Sequence, residues 1–393
     1  MYVGGIEGDT MAKNEVLLEV TEKHLNTGLR GVPVGTCRTS FVTPSEGVHY
    51  CRHPITELAS FEPEDIIYLL FNKELPTPEQ SVAIRQDLAS RAALPGDLES
   101  VLKALPKFGH PMDWLSVGIH TLGMLETTND WKEDALNLIA RMPRLMGLIF
   151  RIREGREENI PADDTTLSMV ERFVRTLDLH DADDEKMKQI ISTYLVLHMD
   201  HGGGNLSTFA GKAIASSKAT VYSAMAGAMN ALSGPLHGRA NQSCLEFVLK
   251  VGTSDPVEVE AFVRAELKAN RPIFGFGHAV LRSEDPRATV QFKLGSEICP
   301  DDENFKIVTT LREVAPRVLA ENPKISNPNA NVDIASGALL HHAGLTSRDR
   351  ETVERLYLDG HIQVLIAPAT LAWVLTFTAH LVIFKGTAFF DAK

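Results

Sequence analysis

Cysteine is scarce in this chain. Its 393 residues hold four, Cys37, Cys51, Cys244 and Cys299, scattered along the length with no CxxC pair among them. That distribution argues against a disulfide framework or a zinc cluster and fits a reducing compartment, so a cytoplasmic location is expected. Surplus positive charge is missing as well. Against 51 Asp plus Glu there are 39 Lys plus Arg, giving a formal net charge of -12. A nucleic-acid binder would carry a basic excess or a basic stripe, so no nucleic-acid partner is expected. Anionic small ligands stay open, because a few placed cations decide such sites locally. Residues 1–15 lack a basic start followed by an apolar stretch, which predicts no secretory signal. Residues 362–384 carry no charged side chain, a run long enough to cross a bilayer. That run holds Pro368, several threonines and His380, and the only basic residues after it are Lys385 and Lys393. It reads as a buried terminal helix, and no membrane partner is expected.

What the chain does contain is an ordinary globular balance, 44% hydrophobic and 23% charged residues, at a length suited to two or three domains. Helix signals dominate. Pro63, Glu64 and Asp65 precede the apolar Ile66, Ile67, Leu69 and Leu70, which predicts a helix over 62–75. Thr77-Pro78-Glu79 and Ser254-Asp255-Pro256 read as two more helix starts, the second helix ending near Asn270. Leu167, Val170, Val174 and Leu177 step along one helix face. Strand signals are few: residues 40–42 and 48–50 flank Thr-Pro-Ser-Glu-Gly and predict one small hairpin. Strands do not alternate with helices, so a mainly α fold is expected rather than a doubly wound sheet. Gly234-Pro235 and the loop 322–331 are the candidate domain boundaries.

Four segments gather polar side chains at helix ends. The first is His198-Met199-Asp200-His201-Gly202-Gly203-Gly204-Asn205. Met187, Ile191 and Tyr194 step by four and three, and His198 and His201 continue the step, which places both imidazoles on a buried helix face stopped by glycines. Two hydrogen-bonded core histidines are the plain reading. A metal-dependent hydrolase using His198, Asp200 and His201 is the sharper one, although the spacing matches no standard zinc signature, and no metal is expected. The second segment, Leu232-Ser233-Gly234-Pro235-Leu236-His237-Gly238-Arg239, breaks a small-residue helix over 219–232 and starts another just after His237. There the positive helix end disfavours imidazolium, and a neutral imidazole can donate to a developing oxyanion; a turn-capping histidine is the alternative. The third, Phe274-Gly275-Phe276-Gly277-His278-Ala279-Val280-Leu281-Arg282 running on to Asp285-Pro286-Arg287, is too short for a dinucleotide fingerprint. It does join one imidazole to two guanidinium groups, a set suited to carboxylates or phosphates beside a polarised carbonyl. The fourth is Asn331-Val332-Asp333, whose aspartate reads as an N-cap or, in a dry pocket, as a general base.

In this order the four segments resemble the citrate synthase family. Gly28-Leu29-Arg30-Gly31-Val32, Thr56-Glu57-Leu58-Ala59, Gly109-His110-Pro111-Met112-Asp113 and residues 143–161 extend the resemblance over most of 28–345. It implies a mainly α-helical homodimer, with residues 1–233 and 346–393 as a large helical domain and 234–345 as a smaller helical domain carrying most catalytic residues. It further implies condensation of acetyl-CoA with oxaloacetate to citrate and CoA, the thioester being a co-substrate and no cofactor being permanently bound. By this resemblance His237 stabilises the enolate of the thioester, Asp333 removes the α-proton, and His278 polarises the 2-oxo carbonyl. His201, Asn205 and Arg287 hold the oxo acid. Leu236, Phe276, Gly277, Ala279, Arg282 and Asn331 contact CoA.

The resemblance fails near the C-terminus. The family uses further arginines there for the dicarboxylate, whereas the last arginine here is Arg355, and Thr370 or Trp373 stands where the next one belongs. The terminal Arg-Pro segment is absent, and Ser326 falls where some members carry a lysine near CoA. Three outcomes follow, in this order: citrate formation with Lys385 or another cation substituting; a different acyl-CoA and oxo-acid pair, as in 2-methylcitrate synthases, or cleavage of a citryl-CoA-like thioester; or a non-catalytic structural relative.

Overall fold

Local signals start most of the helices. In the computed structural model, which describes residues 16, 18–26, 32, 35–107, 109–128, 130–156, 160–177, 185–234, 237, 240–278 and 280–344, a short 3-10 turn (Glu22–Asn26) precedes three strands. These are β1 (Ser40–Thr43), β2 (Gly47–Tyr50) and β3 (His53–Pro54). They form one antiparallel sheet in the order β1-β2-β3, with Ser40 opposite Tyr50 and Val42 opposite Val48. The hairpin read from the sequence is therefore present; β3 is an addition, brought back by a turn in which Cys51 and Arg52 hold φ of 46° and 81°.

Among the described residues helices follow: α1 (Ile55–Leu58), α2 (Pro63–Asn72), α3 (Pro78–Arg91), α4 (Gly96–Lys103), α5 (Pro111–Glu126), α6 (Trp131–Glu154), α7 (Met169–Leu177) and α8 (Glu185–His198). After them come α9 (Leu206–Ala215), α10 (Val221–Leu232), α11 (Ala240–Val251), α12 (Pro256–Lys268), α13 (Pro286–Ile298), α14 (Glu303–Ala320) and α15 (Asp333–His342). The fold is mainly α, as the sequence predicts. Thr77 caps α3 through a reciprocal pair: its hydroxyl accepts from the Gln80 N–H and the Gln80 side chain accepts from the Thr77 N–H. Asp255 caps α12 by accepting from the Val257 and Glu258 amides. Thr77→Ala should destabilise the protein by about 1 kcal/mol, the usual worth of such a cap; a lower denaturant midpoint with an unchanged slope is the expected reading.

A continuous buried cluster runs through the described residues, from Val48 in β2 to Ala343 beyond α15. Its centre lies where α10 packs on α5 and α9, with Trp114, Ile119, Leu122, Tyr222 and Met229 fully buried or nearly so. Close approach of α5 and α10 requires Gly123, since a Cβ there would sit 2.6 Å from the Tyr222 Cβ. Helix α13 packs on α15 and also on α1, α8 and β2, so the end of α8 and the starts of α13 and α15 converge.

Two expectations need correction. His201 does not continue the α8 face: the helix ends at His198, because the backbone amide and carboxylate of Asp200 bond outside it, to Tyr50 and Thr39. Asp333 is not an N-cap. It is the first residue of α15, and its N–H donates to Asn331 Oδ1. No helix among the described residues is long and apolar enough to cross a membrane, and residues 362–384 lie outside them.

Candidate active site

The segment from Phe274 to Arg287 is laced to the approach to α15. Gly277 N–H donates to Asn329 O at 2.9 Å, Asn331 N–H donates to Gly275 O at 2.9 Å, and Asn331 Nδ2 donates to Gly277 O at 3.0 Å. Phe276 and Ala330 form a β-bridge between them. The lacing is tight because Gly275 holds φ +82° with no side chain; a Cβ would lie 2.8 Å from the Ile334 Cβ. In this way the sequence Gly-Phe-Gly-His places His278 beside the N-terminus of α15, where Asp333 sits half-buried.

Backbone amides fix the proton on His278. Its Nδ1 accepts from the N–H groups of Val280 and Leu281, both at 3.0 Å. A neutral ring then carries its proton on Nε2, which faces the Nε2 of His201 at 3.3 Å. Burial, and then the neighbouring Arg287 charge, push both imidazoles below the usual histidine range, His201 down to about 3. The two rings are therefore a neutral pair at physiological pH.

Arg287 and Asp285 form a buried fork. Arg287 Nη2 donates to Asp285 Oδ2 at 2.7 Å and Nε donates to Oδ1 at 3.1 Å, with the side chains 5% and 0% exposed. Burial alone would raise the Asp285 carboxyl, but the Arg287 charge and its hydrogen bonds outweigh that and hold it at about 2. Asp285 also caps α13 by accepting from the Arg287 N–H. The Arg287 charge reaches His198, His201 and His278, and Asp333 acts on it in turn. Asp333 also acts on the buried Tyr194 and Cys244, whose acidities are suppressed chiefly by burial.

His237 precedes α11 in a turn closed by its own N–H on Gly234 O. Its Nε2 accepts from the Ser207 N–H at 3.2 Å and lies 3.0 Å from Ser207 Oγ. An acceptor at Nε2 leaves the proton of a neutral ring on Nδ1, so His237 and His278 present opposite tautomers. Ser207 stands in the first turn of α9, whose N-cap is Asn205. Asn205 Oδ1 is committed to that cap, accepting from Thr208 N, Thr208 Oγ1 and Ser207 Oγ at 2.9, 2.7 and 2.8 Å. Its amide nitrogen is thereby left as the donor. Ser207 escapes a reading of the sequence alone; the faint signal for it is a hydroxyl in the first turn after Gly-Gly-Gly-Asn.

The structure thus brings together His201, His278, Arg287 and the α15 start carrying Asp333, and it links Asn205 to His237 through Ser207. Phe276, Gly277 and Asn331 share the laced loop. Arg282 lies beside it, its N–H donating to Pro44 O at 3.0 Å. Leu236 and Ala279 lie outside the described residues. The ligand set of the hydrolase reading is dispersed. His198 Nδ1 bonds Tyr194 O at 2.7 Å, Asp200 turns to Thr39 and Gly202, and His201 turns to His278. Among the described residues no group of three or more His, Cys, Asp or Glu side chains is arranged to hold a metal ion.

Acid should act on these histidines in a defined direction. His198 and His201 sit at about 3 in the fold against an ordinary 6.5, so below 6.5 the unfolded chain binds protons that the folded chain refuses. Stability is then complete above 6.5 and falls as the pH drops toward 3. Denaturation midpoints measured from pH 7.5 to 4 should decline through that window, and His198→Leu should flatten the decline.

Residues 28–350 match the family described as "Citrate synthase, C-terminal domain". The chain belongs to the citrate synthase family. Over 355 residues it is 34% identical to citrate synthase 4, mitochondrial, of Arabidopsis thaliana, covering 83% of this chain and 74% of that one. Over 369 residues it is 33% identical to 2-methylcitrate synthase, mitochondrial, of Yarrowia lipolytica, covering 86% and 79%. The fold matches the crystal structure of citrate synthase from Thermotoga maritima with a TM-score of 0.74 at 26% identity, covering 93% of this chain and 92% of that one. Membership in the citrate synthase family makes the chain an acyl-transferring enzyme of the transferase class.

Proposed function

We propose that this enzyme condenses acetyl-CoA with oxaloacetate to give citrate and CoA. The observation that carries the reading is a pair of imidazoles with opposite, backbone-fixed tautomers, His237 and His278, together with one carboxylate, Asp333, and one guanidinium, Arg287. A thioester α-proton is very weakly acidic. Its removal needs a base and a donor to the carbonyl oxygen that gains the charge, and one such donor is worth about 3–4 kcal/mol. In this scheme Asp333 takes the proton, the C–H electrons move to the thioester oxygen, and His237 Nδ1–H donates a hydrogen bond to that oxygen. The enolate carbon then bonds to the 2-oxo carbon, whose oxygen takes the proton of His278 Nε2. Water returns a proton to His278 Nε2 as its hydroxide adds to the citryl thioester; the C–S bond breaks, and the departing thiolate takes the proton from Asp333 and leaves as CoA.

His201, the Asn205 amide and Arg287 hold the oxo acid in this reading. Leu236, Phe276, Gly277, Ala279, Arg282 and Asn331 meet the CoA thioester, which is a substrate; no permanently bound cofactor is required. The division into 1–233 with 346–393 and 234–345 belongs to the same proposal. So does a homodimer, which the exposed Met124 and Leu125 at the end of α5 and Leu206 at the start of α9 support. All four cysteines are free thiols, which supports a cytoplasmic or similarly reducing compartment.

A second reading is favoured by an uncharged residue, Thr370 or Trp373, where the family carries an arginine. Loss of that cation favours a different substrate pair, with propionyl-CoA giving 2-methylcitrate as the nearest case. Thiol release from acetyl-CoA and from propionyl-CoA, with and without oxaloacetate, decides between them. Faster oxaloacetate-dependent release from acetyl-CoA is expected; preference for propionyl-CoA supports the second reading, and release from neither, by folded protein, overturns both.

A further inference from the structure

His201 sits on a turn whose two flanking residues are both anchored to the small sheet. Asp200, fully buried, accepts from Thr39 Oγ1 at 2.5 Å through Oδ2 and from the Gly202 N–H at 3.0 Å through Oδ1. The Gly202 N–H also donates to Ser40 Oγ at 2.6 Å. The Asp200 N–H donates to the Tyr50 hydroxyl at 3.1 Å, and that hydroxyl donates onward to Val196 O at 3.0 Å in the last turns of α8. Thr39, Ser40 and Tyr50 are themselves buried, at 2%, 3% and 0% exposure. Gly202 takes φ +76°, which lets the chain reverse immediately after the imidazole.

We propose that Asp200 is a positioning residue: held by Thr39 and Tyr50, and bonded to the Gly202 N–H that Ser40 also takes, it fixes the turn that presents His201 to His278 in the oxo-acid site. The inference deepens the proposed function, since it rests on His201 as an oxo-acid ligand. One carboxylate oxygen of Asp200 takes the Thr39 hydroxyl and the other takes the Gly202 N–H, so its effect on the site passes through the backbone on either side of His201. A purely structural carboxylate needs no particular neighbour. This one bonds the residue directly after His201, and its own amide is held directly before it. The hairpin also meets the segment that follows His278, through Pro44 O in its turn on the Arg282 N–H.

Substitutions separate the carboxylate's geometry from its charge. In Asp200→Asn the amide oxygen can keep the Gly202 N–H while the amide nitrogen donates to Thr39 Oγ1, whose hydroxyl rotates toward Cys37 Sγ, 3.4 Å away. Asp200→Ala removes both bonds, and Thr39→Val removes one with almost no change of shape. Two readouts apply to the full-length protein: oxaloacetate affinity by calorimetry, and the imidazole resonances of His201, assigned with His201→Gln and followed against pH. Asp200→Ala should weaken oxaloacetate about tenfold or more, the worth of hydrogen bonds to a charged group. It should also shift the His201 resonances and let the ring titrate nearer its ordinary range. Thr39→Val should do the same to a smaller degree, and Asp200→Asn should stay near wild type in both readouts. Asp200→Ala and Thr39→Val that melt earlier, yet below their melting temperatures keep the wild-type His201 resonances, would overturn the inference. Should wild-type protein bind no oxaloacetate, the oxo-acid reading fails alone, and the resonances still decide whether Asp200 positions the ring.

Discussion

Replacing Asp333 by alanine will lower kcat for thiol release about 10²- to 10⁴-fold, the range for removal of a general base, and leave the fold in place. The fold survives because Asp333 contributes little to starting α15. Its backbone N–H, which alanine retains, takes Asn331 Oδ1 at 3.0 Å. What α15 loses is a negative charge in its first turn, about 0.3–1 kcal/mol. Oxaloacetate affinity should change little, since in the proposed scheme the base acts on the thioester, so the loss appears in kcat rather than in the KM for the oxo acid. Exchange of acetyl-CoA methyl protons with solvent should disappear together with thiol release. A kcat within threefold of wild type would remove Asp333 from the chemistry.

Arg287→Met should have the largest effect on stability, about 3–5 kcal/mol, because it strands a buried carboxylate. Asp285 is fully buried and held at about 2 by this guanidinium; without it, burial pushes the carboxyl up. The pH dependence of that group then inverts. In wild type its stabilisation is present above 3.8 and lost as the pH falls toward 2. In the variant a raised folded value gives stabilisation that is lost as the pH rises. The double change Arg287→Met with Asp285→Leu should recover most of the stability by replacing the pair with apolar groups, as buried ion pairs elsewhere tolerate. Oxaloacetate binding should not recover, remaining at least about 30-fold weaker, because a buried charge facing a carboxylate is worth about 2–5 kcal/mol. Denaturant midpoints and calorimetry on the three variants separate the two losses. Recovery of binding in the double variant would show that Arg287 acts only as the partner of Asp285.

The fold is legible wherever it depends on neighbours in the chain. Thr77-Pro78 and Asp255-Pro256 start helices because a cap oxygen and a fixed proline φ act within three residues, and the Thr-Pro-Ser-Glu-Gly turn sets the hairpin register in the same way. The site is legible as a set of residues and much less so as geometry. The helical step from Met187 onward carries His201 onto the α8 face, yet Thr39, 161 positions earlier, pulls Asp200 out of the helix and takes His201 with it. No periodicity in α8 encodes that partner. Likewise Asn331 displaces Asp333 from the cap because the laced loop brings its side-chain oxygen to the helix start. The tautomers of His237 and His278 depend on amides of Ser207, Val280 and Leu281, and only folded coordinates place those amides against the rings. Residue identity shows that imidazoles are available; which nitrogen donates comes from the backbone around them.

The most direct test of the account supplies acetyl-CoA deuterated at its methyl group together with oxaloacetate, and analyses the acid products by mass spectrometry. Loss of one deuteron to Asp333 and formation of one carbon–carbon bond predict citrate retaining two deuterons, released with an equal amount of CoA. Thiol release accompanied by acetate that retains all three deuterons, with no citrate, would make the chain a thioester hydrolase and contradict the condensation.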